Sequence, residues 1–309
     1  MTTLTVDAGR SRISVPERPP NRIAENLTGR PYISHSQLAL MRSCPRRFCY
    51  SYVEHAKPDF TSASLIFGGA MHSAVELHHR CLMEGLTATP EALMSAYRSH
   101  WINELEQADD KVPLRFNKNE DHDTMLAAAG RMIDAFLESS VSRPQGRILG
   151  VEEPLKVTID PDLPDVLARV DLVTQTQDSL NVVDLKTSRS RWPQEKAIES
   201  GDQLLLYGQT VRSMSRHLDL PVRASFVVIT KARKPVVQVL EVPADQSRLA
   251  ATKRGVHQVW EAITAGNFYP SPSPMNCTSC PFRSRCPVFG GGSATSAVRT
   301  SNFVRDGDW

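Results

Sequence analysis

No stretch of the sequence approaches the roughly 18 to 20 consecutive apolar residues of a membrane-spanning helix, and its first residues carry no apolar run of the kind a signal peptide needs. A helical membrane protein is excluded, and a cytoplasmic location is the default expectation. An excess of either charge is missing too: 36 Lys and Arg stand against 34 Asp and Glu, a net of +2. Bulk charge therefore announces no particular partner. There is no internal repeat, which sets solenoids aside, and no G-x-x-x-x-G-K-[ST] phosphate loop, which sets aside motors of that type. What remains is ordinary, with 40% hydrophobic and 23% charged residues in 309. That balance suits a folded enzyme of one large domain or two modest ones. The six cysteines, in a reducing compartment, read as metal ligands, catalytic groups or core fillers before disulfides.

Residues 1–30 are polar, with three prolines between Pro16 and Pro20, and read as a flexible arm. A tail from 290 to 309, opening on Gly290-Gly291-Gly292-Ser293, reads the same way. Between them, residues 31–289 read as one domain with a helical first part. Ser34 or Ser36 caps a helix towards Ser43, and Cys44-Pro45 restarts another. Helices follow at Leu65 to Met83, Glu91 to Gln107 and Asp121 to Leu137. The texture then turns β-branched: Ile148 to Ile159, Val166 to Thr176 and Leu180 to Lys186 read as strands, the last two joined around Gln177-Asp178-Ser179. A helix from Asp202 to about His217, strands at Arg223 to Thr230 and Val236 to Val242, a helix from Ala244 to Ala265 and a cysteine-rich segment complete the order. That order fits an α/β fold, a mixed central sheet flanked by helices. Local basic clusters stand out at Arg42, Arg46 and Arg47, at Lys186, Arg189 and Arg191, and at Lys231, Arg233 and Lys234.

Two carboxylates, Asp171 and Asp184, fall near the ends of adjacent predicted strands. Strand alternation puts Asp184 and Lys186 on one face and turns Leu185 into the core. Both acids follow apolar strand bodies, Leu167 to Val170 and Val182-Val183, where an unpaired charge is costly. Carboxylates so placed suit a hard divalent cation such as Mg²⁺ or Mn²⁺, and a neighbouring ammonium can stabilise charge on a phosphate.

The run LARVDLV followed by NVVDLKTS resembles the PD-(D/E)XK nuclease superfamily, in particular its RecB-like exonuclease branch. The resemblance implies a restriction-endonuclease-like sheet and metal binding by Asp171 and Asp184. It also implies Lys186 as catalytic partner and the Leu185 main-chain carbonyl as a further ligand. The family's leading proline is absent, and Arg169-Val170-Asp171 stands in its place. Phe67-Gly68-Gly69-Ala70-Met71-His72 is similar to the family's small-residue-then-histidine element, which makes His72 a metal ligand. The glycine pair would let the start of that helix approach the sheet. Gln203-Leu204-Leu205-Leu206-Tyr207 resembles the Gln-x-x-x-Tyr motif, whose i, i+4 spacing puts Gln203 and Tyr207 on one helix face to hold a substrate strand. Glu152 matches the acidic position of the first strand, where a carboxylate can hold the attacking water. Glu153 competes, since alternation admits only one of them inward.

Cys277, Cys280 and Cys286, with Cys44 far upstream, resemble the iron-sulfur staple of AddB-type nucleases and CRISPR-adaptation exonucleases. The resemblance implies a structural 4Fe-4S cluster, with structural zinc as the alternative that thiolate ligation also permits. Cys44-Pro45 shares the Cys-Pro pairing of Cys280-Pro281 and Cys286-Pro287, which favours Cys44 over Cys49 as the fourth ligand. Cys49 and Cys81 read as core residues. The implied activity is hydrolysis of DNA, single-stranded or with a free end, in recombination or repair. Trimming of DNA before integration in CRISPR adaptation is an alternative, and a non-catalytic DNA-binding or assembly protein is another. Any unwinding would come from a helicase on another chain.

Overall fold

The computed structural model describes residues 20–109, 111–215 and 219–290. The glycine-led tail and most of the proline-bearing arm lie outside them. Residues 22–28, read above as part of that arm, form a helix, α1 (Arg22–Thr28), capped by the Asn21 side chain and ended at Gly29, φ 70°. Its periodicity is too short for a sequence pattern to register. A three-residue strand, β1 (Tyr32–Ser34), precedes α2 (His35–Ser43). Ser34 caps α2 in a reciprocal box with Gln37, which resolves the choice between Ser34 and Ser36. Cys44 breaks the helix in extended conformation, and Pro45 begins the short α3 (Pro45–Phe48).

After the two-residue β2 (Thr61–Ser62), α4 (Ala63–Met83) and α5 (Pro90–Gln107) pack as a pair, with β3 (Leu114–Arg115) between α5 and α6 (His122–Glu138). The main sheet is built from β1, β4 (Arg147–Val157), β5 (Asp165–Gln175), β6 (Leu180–Ser188), β7 (Val222–Thr230) and β8 (Val237–Val242). Helices α7 (Gln194–Glu199) and α8 (Asp202–Thr210) connect β6 to its parallel neighbour β7, while α9 (Gln246–Thr264) and α10 (Pro274–Thr278) follow β8. The predicted helix from Asp202 leaves α-geometry after Thr210 and finishes as a tighter turn, Val211–Met214. This is the mixed α/β sheet with flanking helices that the sequence predicts.

One face of the sheet packs Val166, Ala168, Val170, Val182, Phe226 and Val228 against α2, α8 and α9. The other packs Leu185, Val227 and Ile229 against α4, whose Ile66, Phe67, Ala70, Met71 and Ala74 recur at helical spacing. Each large side chain so buried contributes about 1.5 to 3 kcal/mol.

The register places the site. β4 follows one edge of β5 from Arg147–Gln175 to Val157–Val166. On the other edge β1 pairs parallel with Asp165 to Leu167, and β6 pairs antiparallel only from Leu172 to Gln175. Between Leu167 and Leu172 that edge of β5 has no ladder partner among the described residues. Asp171 stands in this gap, and Asp184 is the first residue of β6 past the end of the ladder. The two acids therefore lie within their strands, where the strands part, and not near the strand ends as the sequence suggests.

Candidate active site

Where the ladder stops, side chains take over its hydrogen bonds. Asp171 Oδ2 accepts from the Leu185 backbone N–H at 2.6 Å. Leu185 itself is buried against the α4 face, and alternation turns Asp184 and Lys186 the other way, with Lys186 Nζ 2.5 Å from Asp184 Oδ2. Asp184 is 2% exposed. Its Oδ1 accepts from Gln203 Nε2 at 2.9 Å, and the same amide nitrogen donates to the Tyr207 hydroxyl at 2.7 Å. The resemblance implies a grip of Gln203 and Tyr207 on substrate. In the structure the amide nitrogen bonds both Asp184 and Tyr207, and Tyr207 is buried, so the pair braces the carboxylate from α8.

From the opposite face, α4 brings His72. Its Nδ1 lies 3.4 Å from both Asp171 Oδ1 and Glu152 Oε1. Gly68 and Gly69 sit inside α4, not at its start. Gly68 faces Thr187 of the sheet, and Gly69 makes room for His100 of α5, whose Nε2 would lie 2.5 Å from an added Cβ. Of the two competing acids it is Glu152 that turns to the site. Its backbone is left-handed, φ 51°, an uncommon and costly conformation for a side chain of this kind. Glu153 folds back towards Gly150.

The electrostatics follow from burial and crowding. Burial pushes Asp184 up to about 6, aided by the Asp171 charge and opposed by Lys186. Burial also acts to raise Asp171, but hydrogen bonding and charge from His72, with the Leu185 N–H, bring it below the usual carboxylate range. Burial disfavours the His72 cation, yet Asp171 and Glu152 outweigh that and raise its pKa to about 10. A positive charge is thus held between carboxylates, as a metal ion would be. Ligand atoms of His72, Glu152 and Asp171 all lie within 4.8 Å of one another. The buried Asp184 Oδ2 has Lys186 Nζ as its partner. Carboxylate oxygens and one imidazole fit a hard divalent ion. The expected ligand set gains Glu152 as a direct neighbour, while Asp184 is approached from the α8 side.

Two contributors have no local sequence signal. Arg169 Nε lies 3.8 Å from Glu152 Oε2, and His35, at the start of α2, is pushed down to about 4 by burial and by the charges of Lys186 and Arg42. Both are brought in by pairings distant in sequence. His78 and His79 are buried against Phe136 and take no part in the metal group.

Cys44, Cys277, Cys280 and Cys286 belong to two segments, residues 43–60 and 269–286, that meet at a seam. Asn276 Nδ2 donates to the Ser43 carbonyl at 2.8 Å, the Arg46 N–H to the Tyr269 carbonyl at 3.0 Å, and the Tyr50 hydroxyl to the Arg285 carbonyl at 2.9 Å. Cys280 is close enough to Cys44 and Cys286 to feel both thiols, and burial raises its pKa. The Cys280 N–H reaches the Cys277 carbonyl at 3.4 Å. All four thiols are free and partly exposed, and thiolates are the donor type that an iron-sulfur cluster takes. Cys49 is fully buried, and burial with its Glu54 hydrogen bond raises its pKa to about 12. Cys81 is half-buried beside the core.

The family model for the PD-(D/E)XK nuclease superfamily matches residues 32–287. The Gene 69 protein of Mycobacterium phage L5 is 24% identical over 297 residues, covering 84% of this chain and 97% of that protein. Among solved structures, a presumed exonuclease from Eubacterium rectale is similar over 91% of this chain and 93% of its own, at 13% identity and a TM-score of 0.48.

Proposed function

The chain belongs to the PD-(D/E)XK nuclease superfamily, and on that premise we propose that it is a divalent-metal-dependent DNA exonuclease of the RecB-like branch. Residues 31–289 form its nuclease domain in this reading, and recombination or repair is its setting. The observation that carries it is the meeting of Asp171, Asp184, Lys186, His72 and Glu152 in the gap beside β5.

His72, Glu152, Asp171 and Asp184, with the Leu185 carbonyl as a further donor, would hold a divalent ion, which would supply Lewis acidity for phosphodiester hydrolysis. Lys186 offers its ammonium to the charge that grows on the phosphate. Glu152 orients the water. Gln203 fixes one oxygen of Asp184, leaving the other turned to Lys186, and Tyr207 fixes Gln203. At the seam, Cys44, Cys277, Cys280 and Cys286 would hold a 4Fe-4S cluster whose role is structural.

Labelled linear and circular DNA, incubated with Mn²⁺ or Mg²⁺, tests the activity. Linear strands are expected to be degraded and covalently closed circles spared. Asp184→Ala is expected to lower the rate about a thousandfold or more. Intact linear DNA, or full activity of Asp184→Ala, would refute the reading. Anaerobically purified protein is expected to be brown, absorbing near roughly 400 nm. A colourless protein holding stoichiometric zinc would replace the cluster with a zinc staple.

A further inference from the structure

The α4 face of the sheet carries a groove of about 520 Å³ that starts at His72, Glu152 and Asp171 and continues away from Lys186. Alternating residues of three strands form its floor. Leu172, Val183 and Val227 present an apolar surface, and Thr174, Asn181 and Ser225 place polar groups beside it. At the far end Arg223, in register with Asn181, faces the segment after α6 that carries Arg143. Both arginines are exposed, and neither guanidinium has an ion pair or hydrogen bond among the described residues.

We propose that this groove is a subsite for the terminal one or two nucleotides of the strand being cut, with Arg143 and Arg223 holding phosphate, and that it sets the length of the product. The proposal rests on the nuclease reading above and adds what that reading leaves open. Its volume lies in the range of roughly 300–1,000 Å³ typical of small-ligand pockets, the scale of a nucleotide and far below that of a duplex. An apolar floor edged with hydrogen-bonding groups suits the face and edge of a base. Unpaired guanidiniums suit phosphate. Of the groove's acids outside the metal group, Glu76 is paired with Arg80 at 2.7 Å, and Asp178 and Glu241 are exposed, where solvent and salt screen them. Lys231, Arg233 and Lys234 follow the C-terminal end of β7, whereas Arg223 is near its start. A strand can therefore arrive over the basic end and finish in the groove.

The test uses 3′- and 5′-labelled single-stranded oligonucleotides with Mn²⁺, resolved on sequencing gels, for wild type and the Arg143→Ala/Arg223→Ala double variant. Wild type is expected to release mostly mono- and dinucleotides. The variant is expected to raise KM about tenfold with kcat nearly unchanged, and to release longer fragments. Cleavage by wild type into long fragments of mixed length would overturn the proposal while leaving the nuclease reading intact. So would a variant with wild-type KM and product lengths. A second measurement works without turnover: calorimetric titration of each protein with a 5′-phosphorylated dinucleotide. Binding by wild type that weakens about tenfold in the variant supports the subsite, and equal or absent binding overturns it. Failure of wild type to cut any DNA would refute the nuclease reading, and the titration would still decide the groove.

Discussion

His72 is the residue whose protonation the site decides. Its proton is held by Asp171 and Glu152, the pKa lying near 10, so a metal ion must displace it to bind the nitrogen. Because the folded site favours the protonated form, a rise in pH weakens the competing proton and strengthens the metal. Between pH 6 and 8.5 the apparent Mn²⁺ affinity is expected to rise towards tenfold per pH unit, with about one proton released per ion. Calorimetry in buffers of different ionisation enthalpy reads both, and a pH-independent affinity would contradict the assignment. Glu152 gives a second prediction. With φ at 51°, glycine fits its backbone and alanine does not. Metal-free Glu152→Gly is therefore expected to be about 1 kcal/mol more stable than Glu152→Ala in urea titrations, with both inactive. Alternation is enough to put Asp184 and Lys186 on one face, and helical spacing to put Gln203 beside Tyr207, but that Asp171 lies in the same gap depends on how the strands part. The choice of Glu152 over Glu153 turned on one left-handed residue, and Arg169, His35 and the groove arginines depend on distant pairings, which no short motif encodes.

Among the elements, those with strong local signals came out within a few residues. Two have reciprocal caps, Ser34–Gln37 on α2 and Asp121–Thr124 on α6, and the strands carry β-branched runs. The short α1, β1 and α7 escaped because seven residues or fewer leave no period to read. The parting of β5 and β6 was illegible too: Leu172 to Gln175 pair and Asp171 does not, yet the sequence runs on without interruption. At the entrance to β4, Gly146 has φ 82° and lies so close to the Gln175 carbonyl that a Cβ would collide with it. Gly146→Ala is expected to cost about 2 kcal/mol, seen as a Tm several degrees lower in calorimetry. An unchanged Tm would mean that β4 is not held at this corner.

For the molecule as a whole, acid stability depends on a buried imidazole. His79 is 5% exposed, and burial, with the neighbouring His78, pushes its pKa from 6.5 down to about 4. The folded state prefers the neutral ring. Its contribution is therefore complete above pH 6.5 and is lost as pH falls towards 4, about 3 kcal/mol in all. Chemical denaturation from pH 7 to 4 is expected to show this decline, and His79→Gln to flatten part of it. The other global device is the seam that joins residues 43–60 to 269–286 through Asn276–Ser43, Tyr50–Arg285 and Asp59–Ser284. It has a mechanical meaning. A load applied at residues 20 and 290 reaches this seam before it reaches the sheet, since nearly all of the sheet lies in the loop that the seam closes. Any motor that hauls DNA through the nuclease while tethered to its ends would strain these seam hydrogen bonds first and leave the gap beside β5 at rest.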